Sequence, residues 1–203
     1  NNGLIITHTE YFSIAYNEGA KESLADVSFK VYPGETVGVI GGTGCGKTTL
    51  VHLIPRFYDA TEGNVKVFGK NVKELDTKLL RNRIGIVMQK AVLFKGDIRS
   101  NMNFAKGEAD TEEMKDALNR AQASAFLELD KSGKGLERSV EQGGNNLSGG
   151  QRQRISIARA LVKKPEILIL DDSASALDYA TDAALRKAIR ELDKDMTVFI
   201  VSQ

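Results

Sequence analysis

A glycine-rich segment at residues 41–48, GGTGCGKT, constrains the fold of this chain more than any other feature. It matches the phosphate-binding pattern G-x-x-x-x-G-K-[ST], and it lies between an apolar run at 37–40 and a helical pattern that begins at Lys47. Glycines let backbone N–H groups turn toward an anion without Cβ clashes, and a helix N-terminus favours negative charge. The alternative is an ordinary glycine-rich turn with an incidental lysine. The strand and helix on either side favour a nucleotide site in an α/β fold.

Within this loop, Lys47 is expected to contact the β- and γ-phosphates, and the Thr48 hydroxyl is expected to ligate Mg²⁺. The residues predicted to bind the nucleotide here are Gly41, Gly42, Thr43, Gly44, Cys45, Gly46, Lys47, Thr48 and Thr49. Cys45 is the only cysteine, so an internal disulfide is excluded. Alkylation of its thiol is expected to block nucleotide binding, and ATP is expected to protect it.

Composition and charge exclude several classes of function. The 203 residues carry a net charge of +1, so no strongly basic face indicates nucleic-acid binding. No apolar run reaches the roughly 18–20 residues that a membrane-spanning helix needs, and no signal peptide is evident. The chain begins at Asn1 and stops at Gln203 directly after a strand-like run, so we expect a fragment with an incomplete C-terminal end.

Hydrophobic periodicity predicts one domain over 1–203 with two kinds of strand. Apolar runs at 37–40, 84–88, 167–170 and 198–201 predict buried parallel strands, whereas alternation at 12–16, 27–31 and 65–68 predicts half-exposed antiparallel strands. No strand pattern occurs between Asp97 and Lys164. Instead, Asp110 and Glu113 form a capping-box pattern, and Ser148 begins a helix that Pro165 ends. We predict an α/β core with an antiparallel β-subdomain at 1–96 and 164–203, and an inserted helical subdomain at 97–163.

A second glycine-rich segment, residues 147–151 (LSGGQ), opens the helix that begins at Ser148 and offers a second anion-binding end. An ordinary glycine-rich helix start is the alternative, but one chain hardly needs two such ends for a single triphosphate. We call residues 147–151 the signature segment. Together with the loop at 41–48 and a strand that ends in Asp171 and Asp172, it resembles the nucleotide-binding domains of the ATP-binding cassette (ABC) family, which drive membrane transporters.

The resemblance implies a P-loop NTPase (RecA-like) core and a second nucleotide-binding domain as partner. In this family two domains sandwich two ATP molecules head to tail, and each signature segment faces the γ-phosphate bound by the other domain. The residues expected to contact the partner's ATP are therefore Ser148, Gly149, Gly150, Gln151 and Asp178. Tyr16 matches an aromatic residue that stacks on adenine; a tyrosine packed across strands is the alternative.

The resemblance also implies a magnesium site and a membrane-domain contact. Asp171 matches a carboxylate that reaches Mg²⁺, usually through water. Gln89 matches a glutamine that reaches Mg²⁺ and the attacking water, in a loop that abuts the transmembrane domain together with the helical subdomain. The predicted metal residues are Thr48, Gln89 and Asp171, and the predicted catalytic residues are Lys47, Gln89, Asp172 and Gln203. Residues 92–101 and 55–59 resemble the exporter branch, which implies a location at the cytoplasmic face of the cell membrane.

Two residues depart from the family pattern. Asp172 stands where the family has a glutamate that acts as general base, and Gln203 stands where it has a histidine that steadies the water. Aspartate is one methylene shorter, and glutamine cannot carry charge. We therefore expect a weakened catalytic site, as in one subunit of a heterodimeric exporter whose partner supplies the glutamate and histidine. The alternatives are a nucleotide-gated clamp, a homodimer in which Asp172 is the working base, and a soluble ABC ATPase outside transport.

Overall fold

The computed structural model describes residues 4–6, 24, 27–128, 134–173, 176–191 and 195–202. Its strands are β1 (Leu4–Ile6), β2 (Phe29–Val31), β3 (Thr36–Ile40), β4 (Lys66–Val67), β5 (Lys70–Asn71), β6 (Ile84–Val87), β7 (Gly96–Asp97), β8 (Ser139–Val140), β9 (Ile167–Asp171) and β10 (Thr197–Ser202). Its α-helices are α1 (Lys47–His52), α2 (Thr77–Asn82), α3 (Ile98–Lys106), α4 (Thr111–Arg120), α5 (Ser124–Glu128), α6 (Gly149–Leu161) and α7 (Tyr179–Arg190).

A four-stranded parallel sheet forms the centre of the fold, in the order β3-β10-β9-β6. These are the four strands that the apolar runs predicted. All five residues of β9 are buried, which explains why its sequence reads as a continuous apolar run. Because parallel strands all end at the same edge of the sheet, the residues that follow β3, β6 and β9 come together there.

A second sheet is antiparallel and has the strand order β2-β1-β4-β5. The predicted strands at 27–31 and 65–68 appear as the shorter β2 and β4. The strand β1 was not predicted, and the strand expected at 12–16 lies outside the described residues. The two kinds of sheet confirm the predicted mixed α/β fold.

Four of the helices, α3 to α6, lie between Ile98 and Leu161. The predicted capping box of Asp110 and Glu113 is present at the start of α4. A capping box of Ser148 and Gln151, which was not predicted, begins α6. The expectation that no strand occurs between Asp97 and Lys164 was wrong, because β7 and β8 pair as an antiparallel ribbon. Each of these strands has two residues, which is too short to produce a recognisable alternation.

Two hydrophobic clusters support the central sheet. The first joins the helical region to β6, β9 and β10 through residues such as Met102, Ile155 and Leu168. The second packs α1 and the antiparallel sheet against the other side, around Ile169 and Phe199. Both clusters contain side chains of β9, so this strand and the carboxylate at its end are held from both faces. No helix in the described ranges is long and apolar enough to cross a membrane.

Candidate nucleotide-binding site

The phosphate loop, residues 41–48, connects β3 to α1 and has the backbone conformation that its glycines permit. Gly44 and Gly46 have φ angles of +80° and +90°, in the left-handed region that favours glycine. The Lys47 ammonium donates hydrogen bonds to the carbonyl oxygens of Gly41 (2.5 Å) and Gly42 (2.8 Å). The loop therefore holds its cation beside its own backbone, where a phosphate group can meet it.

A cavity of about 370 Å³ lies against the phosphate loop and collects predicted residues from distant parts of the sequence. Its lining consists of Thr43, Gly44, Gly46, Lys47, Thr48, Thr49, Gln89, Asp171, Asp172 and Val201. Gln89 reaches it from the end of β6, and the two aspartates reach it from the end of β9. The structure thus brings together at one cavity the predicted metal residues, the predicted catalytic residues other than Gln203, and six residues of the predicted ATP-binding set at 43–49.

Thr48 and Asp171 form a polar contact at this cavity. The Thr48 hydroxyl donates a hydrogen bond to Asp171 Oδ1 at 3.0 Å, across 123 residues of sequence. Asp171 is only 2% exposed. A hydroxyl oxygen and a carboxylate oxygen therefore lie side by side at the start of α1.

Gln89 and Asp172 form a second contact nearer to solvent. Gln89 Nε2 donates a hydrogen bond to Asp172 Oδ2 at 2.9 Å. Asp172 has a φ of +48°, an uncommon backbone conformation for a residue with a side chain. The backbone turns sharply directly after β9, so Asp171 is buried whereas Asp172 is partly exposed and faces Gln89.

The signature segment begins α6, as predicted. Ser148 Oγ accepts a hydrogen bond from the Gln151 backbone N–H at 3.2 Å, and the Gln151 side chain accepts one from the Ser148 N–H at 3.1 Å. Gly150 allows a close approach, because an added Cβ would lie 3.2 Å from the Ala176 carbonyl oxygen. None of the residues 147–151, all of which are described, lines the phosphate-loop cavity. The N-terminal end of α6 therefore lies outside the cavity at the phosphate loop.

Asp178 caps α7, at the end of the loop that approaches Gly150. Its carboxylate accepts hydrogen bonds from the Thr181 backbone N–H (2.9 Å) and the Thr181 hydroxyl (2.8 Å). These bonds, the backbone one foremost, hold the pKa of Asp178 below its usual value. Tyr16 and Gln203 lie outside the described residues, so their roles stay predictions.

Sequence reasoning missed His52, the last residue of α1. This residue is 5% exposed, and its Nε2 atom lies 3.5 Å from Asp171 Oδ2. The available signal was its spacing from Thr48. Residues four apart share one face of a helix, so Thr48 and His52 necessarily lie on the same face.

The residues of the cavity fit Mg²⁺ and a polyphosphate. Mg²⁺ prefers oxygen ligands and keeps several waters, and this edge of the sheet offers the Thr48 hydroxyl, the Asp171 carboxylate and the Gln89 amide oxygen. Lys47 and the glycine-rich backbone supply positive charge and N–H donors for phosphate oxygens. Fold and site together define a P-loop nucleotide-binding domain.

Comparisons with known proteins identify the family. A model described as "ABC transporter" matches residues 24–175. The chain is 41% identical over 194 residues to a β-(1→2)glucan export ATP-binding/permease protein, NdvA, of Rhodopseudomonas palustris. It is 39% identical over 193 residues to an ATP-dependent lipid A-core flippase of Desulfotalea psychrophila. It is 43% identical over 190 residues to a putative multidrug export ATP-binding/permease protein, YgaD, of Bacillus subtilis.

These alignments cover 94–95% of this chain but only 32–33% of the relatives, so the chain spans about a third of their length. A solved structure of a bacterial Atm1-family ABC exporter with ATP bound superposes with a TM-score of 0.89 at 32% identity. That match covers 98% of this chain and 34% of the exporter chain. The chain therefore belongs to the ABC transporter family and is one of its ATP-binding domains.

Proposed function

We propose that this chain binds ATP with Mg²⁺ at the phosphate loop and that its ATP hydrolysis powers export through an ABC transporter. The observation that carries the proposal is the hydrogen bond between Thr48 and Asp171, which joins the phosphate loop to the carboxylate at the end of β9. The relatives named for glucan export, lipid A-core flipping and multidrug export support a role in export. Because those names differ in cargo, they favour no particular substrate.

In the proposed reaction a water oxygen attacks the γ-phosphorus, the bond to the β–γ bridging oxygen breaks, and the water's proton passes to a base. The products are ADP and phosphate. The loop N–H groups and Lys47 stabilise negative charge on the β- and γ-phosphates. Lys47 has three donors, so it can reach a phosphate oxygen and still bond one of the carbonyls that it now contacts. Mg²⁺, when bound, neutralises part of the phosphate charge, and Thr48, Gln89 and Asp171 are its proposed holders.

We further propose that this site is weakened. A general base must lie within about 2.6–3.2 Å of the proton that it takes, and the aspartate at position 172 is one methylene shorter than glutamate. Its Oδ2 also accepts the hydrogen bond from Gln89, so one lone pair of this oxygen is already used and cannot accept a proton from water. Gln203, the second departure from the family pattern, cannot carry charge.

The signature segment supports a partner domain that completes two composite sites. In a capping box the Ser148 Oγ lone pair accepts from Gln151, and the hydroxyl proton stays available to donate to a phosphate oxygen. Because α6 is 13 residues long, its N-terminal end favours an anion. By head-to-tail pairing, this end serves the partner's ATP. The chain then contributes a weak phosphate-loop site and an intact signature segment, as in a heterodimeric exporter.

An aromatic groove, defined by Phe57, Phe94 and Phe104, supports a contact with a transmembrane partner. It encloses about 290 Å³ between the parallel sheet and the helical region. The rings of Phe94 and Phe104 lie 4.2 Å apart, and Phe104 is 69% exposed. The guanidinium of Arg159 lies 5.5 Å from the Phe94 ring at the same groove. Exposed aromatic rings around a concave surface are typical of a protein contact.

One observation favours a second candidate, a homodimer in which Asp172 is the working base. Asp172 lines the phosphate-loop cavity and accepts a hydrogen bond from the Gln89 amide at 2.9 Å despite its shorter side chain, which supports this candidate. If the amide and the carboxylate together hold the attacking water, no glutamate is required. The two candidates predict different rates for the same purified protein.

Single-turnover ATP hydrolysis separates them, measured at a protein concentration high enough to force dimerisation. Under the weakened-site proposal, Asp172→Glu/Gln203→His raises the rate at least tenfold, which corresponds to about 1.4 kcal/mol of barrier. Adding Thr48→Ala to the reverted protein should remove the gain and thus assign it to this site. A fast wild type that the reversion does not improve supports the homodimer. Absence of ATP binding by both proteins would overturn the proposal as a whole.

A further inference from the structure

His52 is a buried polar side chain that the proposed reaction does not use. It closes α1, is 5% exposed, and has a side chain that is 7% accessible. Its Nε2 atom is fully buried and has no hydrogen-bond partner among the described residues. A buried polar atom without a partner costs about 1–3 kcal/mol, so its position requires a reason.

That reason lies in the carboxylate that His52 faces. Asp171 Oδ1 accepts the hydrogen bond from Thr48 at 3.0 Å, and Asp171 Oδ2 lies 3.5 Å from His52 Nε2. Thr48 and His52, both in α1, thus lie next to the two different oxygens of the buried Asp171 carboxylate. A good N–H···O hydrogen bond measures about 3.0 Å, so a movement of about 0.5 Å completes the contact.

The imidazole ring is itself held in place by two aromatic neighbours. The Phe57 ring meets it edge to face, with centroids 5.2 Å apart and an interplanar angle of 76°. The Tyr58 ring stacks over it at 6.4 Å and 25°. Aromatic contacts of this kind restrict ring orientation, so Nε2 stays aimed at Asp171.

We propose that His52 is a positioning residue for the magnesium site: its imidazole donates Nε2–H to Asp171 Oδ2 and fixes the rotation of that carboxylate. This inference rests on the proposed function, in which Asp171 helps to hold Mg²⁺ with ATP. With Oδ2 fixed by His52, Oδ1 keeps its place beside the Thr48 hydroxyl, where both oxygens can serve the ion or its waters. Removing a group that hydrogen-bonds to a metal ligand, without itself touching the metal, typically lowers metal affinity by about 10–100-fold.

A purely packing role makes a different prediction. If His52 serves only to fill space against Phe57 and Tyr58, then replacing it by another aromatic ring should preserve metal affinity. If it orients Asp171, the ring alone is insufficient, and the N–H donor is what matters. His52→Phe keeps the ring and removes the donor, whereas His52→Gln keeps a donor at a similar reach and removes the ring.

The test measures binding of a fluorescent ATP analogue to the purified protein in Mg²⁺ and in EDTA, under conditions that prevent turnover. We expect His52→Phe to reduce the Mg²⁺-dependent gain in affinity by about tenfold. Its affinity in EDTA should stay within about twofold of wild type. His52→Gln should retain most of the Mg²⁺-dependent gain. If His52→Phe does not fold by circular dichroism, His52→Leu takes its place.

Two outcomes would overturn the inference, and they are distinguishable. If wild type gains affinity from Mg²⁺ and the donor-free variant gains as much, His52 has no positioning role, while the proposed magnesium site stands. If wild type gains nothing from Mg²⁺, the proposed magnesium site fails and the inference about His52 fails with it.

Discussion

Gln89 Nε2 donates a hydrogen bond to Asp172 Oδ2 at 2.9 Å, which ties the end of β6 to the residue that follows β9. Asp172 is held in a left-handed backbone conformation at this point, with a φ of +48°. A strained backbone conformation of this kind persists only where surrounding contacts hold it in place, and it often occurs at functional positions. The pair therefore holds the carboxylate in the site but engages one of its oxygens.

The first prediction concerns Asp172→Asn in the complex with the proposed partner domain. We expect its steady-state ATPase rate to stay within about twofold of wild type, because removing general-base assistance matters only where that assistance operates. Steady-state phosphate release measures the effect. The matched control is the same acid-to-amide change at the glutamate expected in the partner domain, which should abolish most of the activity. A large loss from Asp172→Asn would refute the weakened-site proposal.

The second prediction concerns the signature segment. Ser148→Arg should abolish ATPase activity of the complex, because a bulky cation replaces the hydroxyl at the N-terminal end of α6 and removes the helix cap. Affinity of the chain's own phosphate loop for ATP should be unchanged, since residues 147–151 do not line that cavity. Ser28→Arg, at an exposed position before β2, serves as the control. Full activity of Ser148→Arg would exclude the proposed head-to-tail site.

Much of this site could be predicted from sequence because its residues follow strands that are themselves easy to recognise. The continuous apolar character of 167–170 revealed a buried strand, and parallel strands deliver the residues after them to one edge. The resemblance to the ABC family implied that Thr48, Gln89 and Asp171 share a magnesium site, and this rule explains why they lie at one edge of the sheet. The capping box at Asp110 was equally predictable, because its spacing indicates a local exchange of hydrogen bonds.

The remaining features depend on contacts that leave little trace in a single sequence. The ribbon of β7 and β8 pairs residues more than 40 positions apart through two residues on each side. β1 has only three residues, too few to establish a period. In the sequence His52 is an ordinary helix residue, and only the structure shows its contact with Asp171, which lies 119 positions later in the chain.

The third prediction concerns Cys45, whose thiol is exposed in the phosphate loop. Its Sγ atom lies 4.0 Å from Lys47 Nζ, and an added Cβ on Gly41 would lie only 2.7 Å from it. Because the exposed thiol lies beside Lys47 and Gly41, an alkyl adduct should displace the loop and block nucleotide binding. Mass spectrometry should show that ATP slows labelling, and Cys45→Ser should bind ATP after the same treatment. Equal labelling rates with and without ATP would contradict this prediction.

The fourth prediction concerns the aromatic groove. Phe104→Ser should leave the melting temperature and the ATP affinity of the chain unchanged, since the ring is 69% exposed and lies outside the nucleotide cavity. In the assembled transporter it should lower transport and substrate-stimulated ATPase, because it removes part of the proposed membrane-domain contact. Leu79→Ser, 67% exposed and outside the groove, is the matched control. Equal transport by the two variants would argue against a partner at this groove.

The fifth prediction concerns Glu113, which accepts hydrogen bonds from Lys106 and, at 2.8 Å, from Lys164. These two cations, Lys106 foremost, lower the pKa of Glu113 from 4.5 to about 2. A carboxylate with a lowered folded-state pKa stabilises the fold above its unfolded pKa, and this contribution is lost as the pH falls through the folded value. The stability difference between wild type and Glu113→Gln should therefore be constant above about pH 5 and shrink between about pH 4.5 and pH 2.

Urea unfolding at a series of pH values measures this difference in the free energy of unfolding. Glu108→Gln is the control, because Glu108 is exposed and forms no ion pair with the described residues. Glu113 joins α3 to the segment after α6 through its two lysines. A Glu113→Gln difference that does not change with pH would show that the lysine pairs contribute nothing to stability.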